Sequence, residues 1–120
     1  DLDVDGEVEF ALLSPFHGNQ FDIFKKIDGE YKSVFQYSKQ LDFYHAIFAD
    51  TFNGVPSVVI GARKEDMDLF LVQYDHNAHK FRSHLIDTAV GPSNVRIVHT
   101  DDGDIIMSAN RQIGQAAIYR

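Results

Sequence analysis

The stretch Asn53-Gly54-Val55-Pro56-Ser57-Val58-Val59-Ile60-Gly61-Ala62 decides the fold class, because it joins a tight-turn signal to a short apolar block. Asn-Gly is a hairpin signal, because glycine tolerates the positive φ angles that such turns need, and the turn is expected over residues 51–56. The block at residues 57–61 is too short and too rich in valine and isoleucine to indicate a helix. This stretch therefore predicts a turn followed by a β-strand.

The residues around this stretch predict a complete unit of four antiparallel strands between positions 43 and 87. Its expected strands, in chain order, are residues 44–50, 57–63, 69–74 and 79–86. Polar or turn-forming segments separate them, and the fourth strand alternates apolar and polar side chains as a half-exposed edge strand does. Four antiparallel strands in one unit is the pattern of a β-propeller blade.

Similar blocks occur on both sides of this unit. The turn glycines Gly6, Gly54 and Gly103 are 48 and 49 residues apart, from 54 − 6 and 103 − 54, and apolar blocks follow each of them. A period of roughly 40–50 residues is typical of propeller blades. The repeats are placed at residues 1–42, 43–90 and 91–120, and they predict an all-β chain with no internal domain boundary.

By this count the chain contains about 2.5 blades, and a closed propeller needs at least about four. The first repeat is expected to lack its inner strand and the last repeat its outer strand. Two interpretations follow, namely a fragment of a longer polypeptide, which the ragged ends favour, or several copies that assemble into a larger ring. The predicted fold is therefore a partial β-propeller over residues 1–120.

Two of these turns resemble a known repeat. The run Asp1-Leu2-Asp3-Val4-Asp5-Gly6-Glu7-Val8-Glu9 resembles an FG-GAP (VCBS-type) repeat, and residues 49–62 are similar, while residues 100–106 form a more divergent copy. The resemblance implies a propeller of about seven blades. It also implies a role in recognising proteins or sugars, although the same fold carries many functions.

The acidic run offers a candidate metal site at Asp1, Asp3, Asp5 and Glu9. Ca²⁺ takes six to eight oxygen ligands, and carboxylates at alternate positions of a tight loop supply them. The family resemblance implies a Ca²⁺ loop here, but with Asp usually at the position of Glu9. The alternative is an acidic, solvated hairpin turn. Ca²⁺ is the only cofactor that the sequence suggests.

A second candidate site follows from the expected placement of loops. In a propeller, the loops between the second and third strands and those between blades emerge on one face near the axis. The residues expected there are His17, His45, Arg63, Arg96, Asn110 and Arg111. Guanidinium groups suit carboxylates and sugar hydroxyls. The alternative is that the arginines pair with acidic residues of neighbouring blades and that His45 belongs to the core.

Composition narrows the partners. The formal net charge of −7 argues against nucleic acid, since phosphate binding requires a basic face, and no apolar run is long enough to span a bilayer. The chain has no cysteine, which excludes disulfides and thiolate chemistry but leaves the compartment open. Further blades, from the same polypeptide or from other copies, are expected partners besides the ligand.

Three functions remain open from the sequence. The first is a binding module that recognises a carbohydrate or protein ligand on its axial face. The second is a lyase or hydrolase acting on sugars, with His45, Arg63 and Arg96 as acid/base and anion-holding groups. The third is a scaffold repeat without a ligand of its own. No nucleophile-elbow, zinc-protease or P-loop motif appears, so an enzyme is the less favoured interpretation.

Overall fold

The computed structural model describes residues 1–14 and 18–120 and is built from β-strands, as the sequence predicts. The strands are β1 (Glu9–Ser14), β2 (Gln20–Ile27), β3 (Glu30–Gln36), β4 (Tyr44–Phe52), β5 (Val55–Ala62), β6 (Leu69–Asp75), β7 (Lys80–Asp87), β8 (Pro92–Thr100), β9 (Gly103–Asn110) and β10 (Gln115–Tyr119). A 3₁₀ turn at Arg111–Ile113, not expected from the sequence, joins β9 to β10.

The strands form three antiparallel sheets, each contiguous in sequence. Sheet 1 has the order β1-β2-β3, sheet 2 the order β4-β5-β6-β7, and sheet 3 the order β8-β9-β10. Sheet 2 corresponds to the four-strand unit predicted between residues 43 and 87. None of the sheets closes into a barrel or a propeller ring. The all-β prediction is thus confirmed, whereas the propeller stays a prediction.

Tight turns explain why neighbouring strands pair. Asn53 and Gly54 both have positive φ angles, 50° and 80°, and they connect β4 to β5 through the Phe52–Val55 pair. This is the backbone that a primed two-residue turn requires, and it twists the flanking strands in the favourable sense. The turn signal quoted from the sequence therefore forms a hairpin, but the turn is tighter than the expected 51–56, because β4 continues to Phe52 and β5 begins at Val55.

One face of sheet 2 packs against sheet 1. Phe21 and Ile23 of β2 form a buried cluster with Ile60 and Phe70, and the rings of Phe21 and Phe70 meet edge to face at 6.0 Å between centroids. Tyr37, which follows β3, stacks on Phe70 at 3.8 Å. Full burial of a side chain of this size contributes roughly 1.5–3 kcal/mol, so this cluster is a main source of stability.

The opposite face of sheet 2 packs against sheet 3. Val59 and Leu71 form a second cluster with Val95, Ile97 and Ile106. Because side chains alternate along a strand, Val58 and Ile60 of β5 point to one neighbouring sheet and Val59 points to the other. Strand β5 is therefore buried on both faces, which explains its continuous apolar sequence.

The strand pairings give a repeat length that differs by one residue from the spacing between Gly54 and Gly103. The Thr100–Gly103 pair encloses Asp101-Asp102 as the β8–β9 turn, just as the Phe52–Val55 pair encloses Asn53-Gly54. The first residues of these two turns are therefore 101 − 53 = 48 residues apart. The 49-residue interval between Gly54 and Gly103 does not join equivalent positions, because Gly103 is the first residue of β9 and not a turn residue. A shift of one residue matters, since it exchanges the two faces of a strand.

A buried carboxylate connects the segment after sheet 1 to the loops of sheet 2. Asp68 is fully buried and accepts hydrogen bonds from the Tyr37 hydroxyl at 3.1 Å, from Lys39 Nζ at 2.9 Å and from Thr88 Oγ1 at 2.8 Å. Burial, together with the nearby Asp68 carboxylate, raises the pKa of Tyr37 to about 12. The Tyr37 hydroxyl therefore stays protonated and acts as a donor at neutral pH.

Candidate functional site

The acidic loop brings its four predicted carboxylates together. One oxygen from each of Asp1, Asp3, Asp5 and Glu9 lies within 4.8 Å of the others. The Asp1 carboxylate accepts backbone hydrogen bonds from Asp5 N at 3.0 Å and from Gly6 N at 2.9 Å. The loop is therefore folded back on its own side chains and presents a compact set of oxygens.

A lysine that the sequence analysis did not single out enters this loop. Lys25 Nζ contacts the carboxylates of Asp3 and Asp5 and lies 3.7 Å from Glu9 Oε1. Partial burial lowers the pKa of Lys25, but its hydrogen bonds with Asp3 and Asp5 outweigh this effect and leave the pKa above its ordinary value. The same hydrogen bond lowers the pKa of Asp5. The loop thus carries its own counter-charge.

Glu9 is the buried member of the acidic loop. Its Oε2 atom accepts a hydrogen bond from Leu2 N at 2.6 Å, whereas its Oε1 atom makes no hydrogen bond with any described residue. A buried carboxylate oxygen without a donor is costly. An all-oxygen set of this kind fits a hard cation such as Ca²⁺, provided that the Lys25 ammonium moves out.

A second group of side chains lies where the loops of sheet 2 meet sheet 3. We call it the basic edge, and it consists of Phe43, His45, Arg63, Lys64 and Gln112. The guanidinium carbon of Arg63 lies 5.3 Å, and the ammonium of Lys64 5.6 Å, from the centroid of the Phe43 ring. Two cations therefore converge on one aromatic face, which attracts each of them through its quadrupole.

Backbone conformation places these side chains. Phe43 adopts a positive φ of 63°, which is unusual for a bulky residue, and its carbonyl accepts a hydrogen bond from Arg63 N at 3.0 Å. Gln112 fits because Gly91 has no side chain, since a Cβ there would lie 2.1 Å from Gln112 Cγ. The conformation of Phe43 and the glycine at position 91 thus build the edge.

Among the described residues, the Arg63 guanidinium has one long hydrogen bond at this edge. Its Nη2 atom donates a hydrogen bond to Gln112 Oε1 at 3.3 Å, and its Nε atom is buried without a hydrogen-bond partner among the described residues. No carboxylate of residues 1–14 or 18–120 lies within 4.0 Å of the charged nitrogens of Arg63 or Lys64. By contrast, Lys25, Lys39 and Arg82 each pair with an aspartate.

His45 joins sheet 2 to sheet 3. Its Nδ1 atom lies 2.9 Å from the Ser93 carbonyl oxygen, which can only accept, so Nδ1 carries the proton of this hydrogen bond. The imidazole also lies parallel to the Phe43 ring, with 5.9 Å between centroids. The Ser93 carbonyl thus contributes to the orientation of His45. Its role in a lyase or hydrolase stays a prediction.

The remaining predicted ligand residues lie in different surroundings. Arg96 is exposed and stacks on the Phe48 ring at 4.6 Å, while Arg111 begins the exposed 3₁₀ turn that also holds Gln112. Asn110 is fully buried and is bonded to Ser108 Oγ and to the Tyr119 hydroxyl. These contacts remove Asn110 from the ligand-accessible set. His17 lies outside the described residues.

A histidine between two carboxylates was also missed by the sequence analysis. His99 Nδ1 lies 2.8 Å from Asp104 Oδ1, and its Nε2 lies 3.3 Å from Asp50 Oδ2 on sheet 2. The hydrogen bond with Asp104 is the main reason why the pKa of His99 is raised, and it also lowers the pKa of Asp104. The available signal was the antiparallel pairing of β8 with β9, which sets His99 opposite Asp104.

Comparison of the sequence with protein-family models gives no match, and comparison with curated proteins gives no significant match. Residues 1–14 and 18–120 include no helix that is both long and apolar enough to cross a lipid bilayer.

Proposed function

We propose that this chain is a binding module built from propeller-type blades, and that its basic edge binds a carboxylate group of a carbohydrate or protein ligand. The observation that carries the proposal is the convergence of Arg63 and Lys64 on Phe43 without a carboxylate partner among the described residues. The edge also lies at the junction of sheets 2 and 3, which the hydrogen bond between His45 and the Ser93 carbonyl joins.

The blade interpretation is supported by how sheets 2 and 3 approach each other. Their first strands, β4 and β8, are in contact, and His45 of β4 bonds the Ser93 carbonyl of β8. Beyond the far end of β4, Asn53 N donates to Asp104 Oδ2 of β9 at 2.6 Å. First strands that lie side by side are expected when successive blades surround a common axis.

The chemistry of the edge suits a carboxylate. A guanidinium presents several N–H donors in a planar fork, and a neighbouring ammonium adds a second positive charge. The interaction with Gln112 is a single long hydrogen bond, so a charged acceptor would replace it with a stronger one. The chain as a whole is acidic and would repel an extended anionic surface. The local positive charge of the basic edge therefore suits a single anionic group of a ligand.

The test is calorimetric titration with a trimer of uronic acid, with the equivalent neutral trisaccharide and with an acidic peptide. We expect at least one of the acidic probes to bind, and we expect Arg63→Gln and Lys64→Gln each to weaken that binding by roughly tenfold or more. The matched control is Lys80→Gln, which removes the same charge at the opposite end of sheet 2. The peptide and the sugar distinguish a protein from a carbohydrate ligand.

Absence of binding by both acidic probes would contradict this proposal. Equal losses in Lys80→Gln and Arg63→Gln would also contradict it, because the effect would then depend on net charge rather than on the edge. Binding should weaken as salt is added, since exposed charge pairs are screened at high ionic strength.

We also propose that the acidic loop binds Ca²⁺ in exchange for the Lys25 ammonium. The four clustered carboxylates and the Glu9 oxygen without a hydrogen bond support this proposal. The variant Lys25→Met should bind Ca²⁺ more tightly than the wild type, because the metal no longer competes with an internal cation. The control Lys32→Met removes a lysine from the neighbouring strand β3.

The measurement is the shift in melting temperature on adding Ca²⁺, with Mg²⁺ as the comparison ion. We expect a larger Ca²⁺-dependent rise for Lys25→Met than for the wild type or for Lys32→Met. If Ca²⁺ leaves the melting temperature of both wild type and Lys25→Met unchanged, the loop is a salt-bridged turn and not a metal site.

A further inference from the structure

Each end of the row of sheets presents an apolar face that no described residue covers. On the outer face of sheet 1, Phe10, Leu12 and Tyr31 are 49%, 47% and 56% exposed. On the outer face of sheet 3, Met107 and Ile118 are 44% and 59% exposed. Each face lines a shallow groove, and exposed apolar surface of this kind commonly marks an interaction site.

The outer face of sheet 1 is equivalent to a face that is buried inside the molecule. The Phe10–Phe24 pair of sheet 1 and the Val58–Val72 pair of sheet 2 are related by 48 residues in both strands. Val58 and Val72 are buried in the cluster that packs on sheet 1. Phe10 and Phe24 therefore belong to a face that receives a preceding sheet.

The outer face of sheet 3 is equivalent to the other face of sheet 2, the one that packs on sheet 3. Met107 pairs with Ile118 on this face, as Val59 pairs with Leu71 on the side of sheet 2 that packs on sheet 3. The outer face of sheet 3 is thus of the kind that receives a following sheet. The outer face of sheet 1 and the outer face of sheet 3 are therefore complementary in the same way as the facing sides of neighbouring sheets within the chain.

We propose that the outer face of sheet 1 docks on the outer face of sheet 3 of a second copy of this chain. In a pair of copies related by a twofold axis, this contact forms twice, and the three sheets of each copy close into a ring of six. Six lies within the roughly four to eight blades of known propellers, whereas three copies would give nine.

This inference rests on the blade interpretation and is independent of ligand binding at the basic edge. A contact between two different faces of the same chain forms a closed ring only if the rotation from one copy to the next returns to the first copy. Otherwise copies add indefinitely into filaments. The proposal therefore predicts a closed dimer, and it excludes both a stable monomer and open polymers.

The test is the solution mass of the chain, measured by light scattering and by sedimentation velocity. We expect the wild type to have twice the mass of one chain. Leu12→Glu and Ile118→Lys should each be monomeric, because each substitution disrupts both contacts of the symmetric pair. The control Leu85→Glu changes an exposed leucine on the outer strand of sheet 2 and should leave the dimer intact.

The decisive experiment mixes the two monomeric variants, Leu12→Glu and Ile118→Lys. In a mixed pair, one contact joins Glu at position 12 to Lys at position 118, and the other contact is wild type. We expect the dimer to re-form in the mixture but not in either variant alone. A wild-type monomer, an open polymer, or a mixture that stays monomeric would overturn the proposal. A monomer would assign these faces to further sheets of a longer polypeptide instead.

Loss of the dimer and loss of ligand binding are separate outcomes. Arg63→Gln should weaken binding of an acidic probe without changing the mass, because Arg63 lies in the loop after β5 and not on either outer face. The solution mass of Arg63→Gln therefore distinguishes a failure of the dimer from a failure of the proposed ligand site.

Discussion

Gly61 shows how a single residue sets the distance between two sheets. It lies in β5, and a Cβ atom built there would be 2.1 Å from Cγ of Pro92, the first residue of β8. A proline ring has little freedom to move away. Glycine is therefore required for the close approach of sheets 2 and 3, which in turn places His45 within reach of Ser93.

We predict that Gly61→Ala destabilises the protein by about 1–3 kcal/mol through overpacking. Denaturant unfolding of the wild type and the variant measures the difference. The substitution should be much less costly when Pro92 is already alanine, because the clash partner is then removed. A Gly61→Ala penalty of the same size in both backgrounds would show that the contact with Pro92 is not its cause.

His99 is the residue from which a pH dependence is expected. Its raised pKa stabilises the fold below its ordinary value of 6.5, and this contribution is lost as the pH rises through the higher pKa of the folded state. The lowered pKa of Asp104 contributes above its ordinary value of 3.8 and is lost as the pH falls through its lower folded value. Both contributions to the free energy of unfolding are therefore fully present between pH 3.8 and pH 6.5.

Consequently, the stability difference between wild type and His99→Gln should be largest at mildly acidic pH and should shrink as the pH rises above neutrality. Urea unfolding at a series of pH values measures it, with His84→Gln on the exposed strand β7 as the control. A difference that stays constant with pH, or that grows toward alkaline pH, would show that the carboxylates do not hold a protonated His99.

At the scale of elements, the strands could be predicted because their signals are local. The Asn53-Gly54 turn and the apolar block after it depend only on neighbouring residues, and the structure has the expected hairpin there. The β8–β9 turn was placed one residue too late, since Asp-Asp and Asp-Gly both suit a tight turn and only strand pairing distinguishes them. The local sequence thus defines elements better than it defines register.

The site was harder to predict because its contacts join different elements. Lys25 reaches the acidic loop only because β2 pairs with β1 in a particular register. Arg63 and Lys64 meet Phe43 only because Phe43 takes a positive φ, for which a bulky side chain gives no sequence signal. Asn110 resembled a ligand residue in sequence, yet its amide is used within the fold.

At the scale of the whole molecule, residues 1–14 and 18–120 cover sheet 2 on both faces but sheets 1 and 3 on one face each. A spacing of 48 residues relates β1, β5 and β9 (58 − 10 and 106 − 58), and 47 residues relate β6 and β10 (118 − 71), so the packing between sheets inside the chain also describes its two ends. The basic edge lies at the junction of sheets 2 and 3. The proposed ligand site and the proposed assembly faces therefore lie on separate parts of the molecule.

The most direct test of the proposed ligand site is a nuclear magnetic resonance titration of the labelled wild-type protein with the acidic probe that binds more tightly. The account predicts that resonance shifts are concentrated at the basic edge, at Phe43, Arg63, Lys64 and Gln112, with the acidic loop unaffected. Shifts confined to the acidic loop or to the outer faces of sheets 1 and 3, with an unchanged basic edge, would contradict it.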